Sequence, residues 1–311
     1  MSEHGAEPRG APSVRARSGR ALSFGPVAET YDRARPSYPE EAVSWLLGPD
    51  LGADATAVVE LGAGTGKLTR QLVDAGHDVL ATDPSPEMLA VLRDRVPEAR
   101  TAVAGAERIP VASRSVDLVV CAESFHWFDH AVALPEIARV LRPGGVLALV
   151  WNVRDEGVPW VRKLGRIMGS ELFTEDLSGP ATASEHFGPL DEAEFRFWQT
   201  LRREELADLV RSRSAVAVLD DTERDEVVAR TRDLYDDYGR GPDGLQLPYL
   251  TRCYRAVVEH QSQPPVVLSP VTTTDPGARV DGAVLAPDDT PTNSRPTAPP
   301  EDPGTLLIDF K

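Results

Sequence analysis

The feature that most restricts how this chain can fold is the alternation of short, continuously apolar segments with longer amphipathic ones. Between residues 57 and 151 the apolar segments include Ala57–Leu61, Asp78–Thr82, Asp117–Ala122 and Val146–Trp151. Strands that are apolar along their whole length are buried on both faces, as they are in a parallel sheet covered by helices. The sequence therefore predicts an α/β fold in which helices lie on both faces of a mostly parallel sheet.

Local signals add the remaining elements of a seven-stranded sheet. Gly76 is placed to end the first helix in a left-handed conformation, and Ser85 with Pro86 is placed to cap the second. The segment 152–190 predicts an inserted helix and loop. Further strands are predicted over 100–104, 194–199 and 249–257, and helices over 67–75, 87–96, 131–141, 202–212 and 222–238.

Both ends of the chain have a composition that favours disorder. Residues 1–22 mix Gly, Pro, Ser and Arg without periodicity, and residues 261–311 hold ten of the 27 prolines among Thr, Ser and Asp. Such segments bury too little apolar surface to offset the entropy lost on ordering. We therefore predict a disordered arm over 1–22, one folded domain over 23–260 and a disordered tail over 261–311.

Charge and cysteine content restrict the partners. The formal net charge is −16, from 33 basic and 49 acidic residues. Binding to a nucleic acid backbone depends on clustered Lys and Arg, so this balance disfavours nucleic acid and favours a small-molecule partner. No apolar run approaches the roughly 20 residues that span a bilayer. With Cys121 and Cys253 as its two cysteines, the chain predicts neither a disulfide framework nor a metal site, and a cytoplasmic location.

A glycine-rich turn follows the first predicted strand, with the sequence Glu60-Leu61-Gly62-Ala63-Gly64-Thr65-Gly66. Glycines let a ligand approach the backbone closely, and this edge of an α/β sheet is where ligands bind. The dinucleotide fingerprint requires Gly-x-Gly-x-x-Gly, but Lys67 occupies the position of its third glycine. The carboxylate of Glu60 also suits a cation better than a pyrophosphate.

This turn resembles motif I of the class I S-adenosylmethionine-dependent methyltransferases. Asp83, Gly105-Ala106-Glu107 and Leu141–Gly145 resemble later motifs of the same family. The resemblance implies the Rossmann-like class I methyltransferase fold, S-adenosyl-L-methionine as cofactor and residues 57–151 as the cofactor-binding core. It also implies that Asp83 binds the ribose. The implied cofactor-binding residues of the core are Glu60, Gly62, Gly64, Gly66, Asp83, Met88 and Ala106.

A narrower resemblance extends over about residues 24–258, to the trans-aconitate-methyltransferase-like subgroup of the methyltransferase-11 type. It implies the fold and the cofactor but no particular acceptor. Tyr31, Arg35 and Tyr38 are predicted to cover the cofactor, with Arg35 paired to its carboxylate; the alternative is that all three pack an N-terminal helix. The residues that carry this resemblance are Tyr31–Pro39, His126–Asp129, Trp151–Asp155, Arg211–Ser214 and Leu247–Thr251.

His126 is the candidate catalytic residue, because it follows the fourth strand at the ligand edge of the sheet. It could act as a general base or as a hydrogen-bond partner of the substrate. The alternative is that His126 belongs to a packed aromatic cluster with Trp127 and Phe128.

The predicted function is S-adenosylmethionine-dependent methyl transfer to the O, N or C atom of a small molecule. Two alternatives are a nicotinamide-dependent oxidoreductase, which would share the sheet and the glycine turn, and a non-catalytic S-adenosylmethionine-binding protein. The sequence leaves the oligomeric state open.

Overall fold

A seven-stranded sheet organises the folded part of the chain in the computed structural model, which describes residues 35–51, 56–169, 178–239, 243–261 and 308. Its strand order is 3-2-1-4-5-7-6. The first five strands pair in parallel, and the seventh is antiparallel to both of its neighbours. The strands are β1 (Ala57–Leu61), β2 (Asp78–Asp83), β3 (Arg100–Val103), β4 (Val116–Ala122), β5 (Leu141–Arg154), β6 (Asp191–Leu201) and β7 (Leu245–Val257).

Helices cover both faces of this sheet, as the sequence predicts. A short 3-10 turn, Phe125–Trp127, follows β4. The helices are α1 (Glu40–Leu51), α2 (Lys67–Asp74), α3 (Pro86–Arg95), α4 (His130–Val140), α5 (Pro159–Ile167), α6 (Gly179–Thr182), α7 (Arg203–Arg211), α8 (Ser214–Ala217) and α9 (Asp221–Tyr238). None of the helices in the described residues has the length and apolar character needed to cross a membrane.

Alternate residues of the central strands build two cores on opposite faces. Val59 and Val119 pack in the cluster that contains the buried side of α4. Val58 and Leu118 pack in another cluster, together with the buried sides of α1 and α2. Because successive side chains of a strand point to opposite faces, each continuously apolar strand supplies both cores. The interpretation of these segments as doubly buried strands is confirmed.

The two predicted capping signals are confirmed. Gly76 has φ 92°, and the amide of the following residue, His77, donates to the carbonyl of Leu72 across the end of α2. The Ser85 hydroxyl accepts a hydrogen bond from the Met88 amide at 3.2 Å and caps α3. The strand β5 is longer than predicted, because its end pairs with β7 as far as Arg154.

The predicted arm over 1–22 lies outside the described residues, and so does almost all of the predicted tail. Within that tail the structure describes Gln261 and Ile308. The amide of Ile308 donates to the carbonyl of Pro110 at 2.8 Å, and Ile308 forms a parallel bridge with Val111. Its side chain packs against the core that contains α4.

Candidate functional site

A cleft that is open to solvent lies at the carboxyl ends of β1, β4 and β5. One side, which we call the glycine-turn wall, comes from the loop between β1 and α2. A second part of the lining, which we call the arginine wall, comes from segments far apart in the sequence. The glycine-turn wall consists of Glu60, Gly62, Ala63, Gly64, Thr65 and Lys67, and the arginine wall consists of Arg35, Glu123, Asn152, Arg213 and Tyr249.

Two glycines of the turn have left-handed backbones but different surroundings. Gly62 has φ 69°, and a Cβ at this position would lie 2.5 Å from the Cβ of Ser124. Gly64 has φ 57°, and no atom lies within 4 Å of the place where its Cβ would be. Gly62 therefore lets the loop after β4 pack against the turn, whereas Gly64 leaves space that a ligand can occupy.

Gly66 belongs to the packing of the turn rather than to the lining of the cleft. It has φ 88° and immediately precedes α2. A Cβ here would lie 2.8 Å from the side chain of Leu92 on α3. The third glycine therefore brings α2 and α3 close together.

Glu60 is buried at the base of the cleft, with 1% of its surface exposed. Burial raises the pKa of its carboxyl to about 8, and the negative charge of Asp83 adds to the rise. The Thr69 hydroxyl opposes the rise by donating to Glu60 Oε2 at 2.6 Å. A cation that entered the cleft next to this carboxyl would favour its ionised form.

Asp83 lies at the end of β2 and supports the turn from behind. Its two carboxylate oxygens accept hydrogen bonds from the amides of Gly64, at 2.9 Å, and Ser85, at 2.8 Å. Burial raises the pKa of Asp83, and these two bonds counteract the rise. Asp83 does not line the cleft, but each oxygen keeps a second lone pair that can accept from a hydroxyl.

Of the remaining predicted cofactor residues, one reaches the cleft. Arg35 lines it, and its guanidinium donates to the hydroxyl of Ser212 at 3.3 Å and to its carbonyl at 3.4 Å. Met88 and Ala106 are buried in the protein and do not contribute to this lining. Tyr31 lies outside the described residues. The cleft thus brings together Glu60, Gly62, Gly64 and Arg35 from the predicted set.

His126 lies in the 3-10 turn after β4 but is not part of the cleft lining. Its ring is 4.6 Å from the ring of Trp127, and its Nδ1 accepts from the indole of Trp151 at 3.5 Å, the outer limit of a hydrogen bond. An accepting Nδ1 requires a neutral imidazole with its proton on Nε2. The ring of His126 therefore packs on Trp127, one member of the predicted aromatic cluster, and its catalytic role stays a prediction.

Glu123 is a site residue that the sequence did not reveal. It immediately follows β4 and has φ 58°, which is uncommon for a residue other than glycine. Its carboxylate accepts from the amide of Asn152 at 2.6 Å, so the ends of β4 and β5 are tied together. Backbone strain of this kind is typical of functional sites.

The strand pairing of β5 with β7 builds the rest of the arginine wall. Arg154 lies opposite Tyr249 in this pairing, so the two side chains share one face of the sheet. Tyr249 also stacks on Phe197 at 5.1 Å between ring centroids. Arg213 is the residue that immediately precedes α8. The resemblance to the narrower subgroup marks Arg154, Arg213 and Tyr249 in the sequence, but it assigns no role to them.

No cluster of His, Cys, Asp and Glu within the described part of the chain is arranged to bind a metal ion.

Residues 59–149 match a family described as a methyltransferase domain. The chain is 45% identical over 240 residues to an uncharacterised methyltransferase of Mycobacterium tuberculosis, which covers 76% of this chain and 96% of the relative. It is 37% identical over 238 residues to an uncharacterised methyltransferase-like protein of Schizosaccharomyces pombe, with 74% and 93% of the two chains covered.

Among solved structures, the fold is similar to one described as a type II methyltransferase candidate of Anaeromyxobacter dehalogenans. The TM-score is 0.52, with 24% identity and coverage of 72% of this chain and 97% of the other. At this identity the similarity concerns the fold, and it agrees with the predicted Rossmann-like class I architecture.

Proposed function

The chain belongs to the methyltransferase family, and from that premise we propose that the cleft binds S-adenosyl-L-methionine at its glycine-turn wall and a small-molecule methyl acceptor at its arginine wall. Membership makes the chain an S-adenosylmethionine-dependent methyltransferase. When bound, the cofactor supplies a methyl group that is already activated by its sulfonium. The task left to the protein is to bind, to orient and to exclude water.

The observation that carries the proposal is the buried carboxyl of Glu60 at the base of the open glycine turn. Its pKa, raised to about 8 by burial, falls when a cation lies beside it. Gly64 lines the same cleft and leaves room for a ligand. A ligand with an ammonium group fits this combination of a carboxylate and an accessible backbone, whereas a pyrophosphate does not. The nicotinamide alternative therefore has little support.

The rest of the predicted cofactor set enters the proposal with separate roles. Asp83 holds the Gly64 amide and offers its remaining lone pairs to the ribose hydroxyls. Arg35 is proposed to bind the cofactor carboxylate. Met88, Ala106 and Tyr31 remain proposed cofactor contacts. The methyltransferase domain is proposed to span 23–260, with its cofactor-binding core at 57–151.

His126 enters the proposal as a positioning residue instead of a general base. It accepts a hydrogen bond from Trp151, whose neighbour Asn152 lines the cleft. A change at His126 would therefore act on the acceptor side through β5. The closer assignment to the trans-aconitate-methyltransferase-like subgroup stays a prediction, as does a cytoplasmic location.

Calorimetry on the Glu60→Gln variant tests the cofactor part of the proposal. Losing a charge-assisted hydrogen bond costs about 1.5–3 kcal/mol, so we expect the affinity for S-adenosylmethionine to fall about tenfold to a hundredfold. Glu41→Gln, which removes an exposed carboxylate from α1, is the matched control and should bind like the wild type. Binding of NAD by the wild type, without binding of S-adenosylmethionine, would contradict the proposal.

A screen with the labelled methyl donor tests the acceptor part. We expect the label to move to low-molecular-weight compounds of a metabolite extract, and not to nucleic acid. A protein that binds the cofactor but labels nothing in such extracts would support the non-catalytic alternative.

A further inference from the structure

The arginine wall holds a guanidinium without a direct partner. Arg213 lines the cleft, and within the described part of the chain its guanidinium has no hydrogen-bond or ion-pair partner. Burial, together with the positive charges of Arg35 and Arg154, lowers the pKa of Arg213 to about 9. Three arginines thus lie close enough to repel one another. Burying a positive charge in this way is costly unless an anion neutralises it.

The residues around these arginines leave them with an excess of positive charge. Arg154 lies behind the wall with 11% of its side chain exposed, and its Nη2 is 3.6 Å from Glu156 Oε1. Its Nε is buried and has no hydrogen-bond partner in the described residues. Glu123 also attracts Arg154 and Arg213. Among the described residues, two carboxylates, Glu123 and Glu156, therefore face three guanidinium groups.

Tyr249 adds an uncharged donor to the same place. It is buried, it lies opposite Arg154 in the strand pairing, and it lines the cleft beside Arg213. Burial raises the pKa of its hydroxyl, although the neighbouring arginines counteract the rise. The hydroxyl therefore remains protonated at neutral pH and can donate a hydrogen bond to an anion.

We propose that Arg213 and Tyr249, with Arg35 and Arg154 adding positive charge, bind a carboxylate or phosphate group of the methyl acceptor. This inference rests on the proposed function, because it names the acceptor class for the same cleft. A guanidinium presents two parallel N–H groups to an anion of either kind. The acceptor is therefore an anionic small molecule.

The cofactor has its own carboxylate, but that group does not account for the whole wall. One bidentate arginine is enough for one carboxylate, and Arg35 is the candidate for that role. Arg154 and Arg213 then remain for a second anion. If Arg213 held the cofactor carboxylate instead, its loss would weaken the binding of cofactor and of acceptor alike.

The test is a calorimetric titration of acetate, succinate, citrate and inorganic phosphate into wild-type protein saturated with S-adenosylhomocysteine. Ionic strength is kept constant, because salt screens exposed charges. We expect saturable binding of at least one anion, and the comparison of the carboxylates with phosphate identifies which kind fits. In Arg213→Met the same anion should bind at least tenfold more weakly, while S-adenosylhomocysteine should bind within twofold of wild type.

Two variants control for net charge and for folding. Arg252→Met removes an exposed arginine from the other face of β7 and should leave anion binding unchanged. Arg213→Lys keeps the charge but not the two parallel N–H groups, so it should restore part of the affinity. Without an anion, Arg213→Met should melt at the wild-type temperature or above, because it removes an unneutralised charge; a structural arginine would lower the melting temperature.

Three results would overturn the inference: wild-type protein that binds none of the four anions, an Arg213→Met variant that binds them as the wild type does, or a parallel loss of S-adenosylhomocysteine affinity. A wild-type protein that fails to bind S-adenosylhomocysteine contradicts the proposed function instead. The anion titrations can then be repeated without it, and they still report on Arg213.

Discussion

The two walls of the cleft differ in how far apart their residues lie in the sequence. The glycine-turn wall comes from residues 60–67, one strand-to-helix loop. The arginine wall is assembled from five separate positions between Arg35 and Tyr249. Backbone geometry within one loop fixes the first wall, whereas strand pairing and helix packing across the chain bring the second together. Local sequence rules therefore predict the glycine-turn wall, whereas tertiary contacts determine which residues form the arginine wall.

The largest expected effect is on the free energy of unfolding, and it comes from the buried carboxyl of Glu60 in the glycine-turn wall. In the unfolded chain the pKa of Glu60 is near 4.5, and in the folded protein it is about 8. Between these two pH values the folded state keeps a proton that the unfolded state loses. The free energy of unfolding therefore has its full value below pH 4.5 and falls as the pH rises to 8. At about 1.4 kcal/mol per pH unit, the loss is on the order of 5 kcal/mol.

Glu60→Gln should not show this decline, because an amide does not ionise. Denaturant unfolding of both proteins from pH 5 to pH 9 measures the difference. We expect similar free energies of unfolding at pH 5 and a variant more stable than wild type by several kcal/mol at pH 8.5. Parallel curves for the two proteins would mean that Glu60 is ionised in the folded protein throughout this range.

The residues of the glycine-turn wall could be predicted from the sequence, whereas most residues of the arginine wall could not, for physical reasons. The order of strands and helices follows from apolar periodicity, and the glycine turn follows from backbone rules that act within a few residues. Glu123 has no such signal, because its strained backbone depends on the pairing of β4 with β5. Arg213 and Tyr249 were visible only as parts of a resemblance. Tyr249 reaches the cleft through the antiparallel β7, whose register no local pattern specifies, and Arg213 reaches it from the turn before α8.

Two matched glycine substitutions in the glycine-turn wall distinguish an effect on folding stability from an effect on ligand binding. Gly62→Ala places a methyl group 2.5 Å from Ser124 at φ 69°, so we expect a loss of about 2–4 kcal/mol of folding stability. Gly64→Ala meets no atom and should lose about 1–2 kcal/mol from its left-handed backbone. In the folded protein, Gly64→Ala should weaken cofactor binding more than Gly62→Ala does, as calorimetry would show. Equal affinities for Gly64→Ala and wild type would place the ligand elsewhere.

His126 belongs to neither wall, and its replacement should have a smaller effect. A neutral histidine that accepts from Trp151 can be replaced by glutamine, which also offers an acceptor. We expect His126→Gln to keep turnover within about tenfold of wild type, and the pH dependence of the rate to be unchanged. A hundredfold loss together with a rate that no longer depends on pH would instead support a general base.

The smallest expected effect concerns Ile308. It tests whether the glycine-turn wall depends on residues that lie far from it in the sequence. Ile308 bridges to Val111, in the segment that continues from Ala106. Ile308→Asp removes a partly buried contact worth about 1 kcal/mol, which lowers the melting temperature by about 2–4 °C. Val218→Asp, at a residue that is 59% exposed, is the control and should melt as the wild type does. If Ile308→Asp also weakens cofactor binding, the glycine-turn wall depends on contacts outside its own loop. If the affinity of the variant for the cofactor is unchanged, the contact serves stability alone.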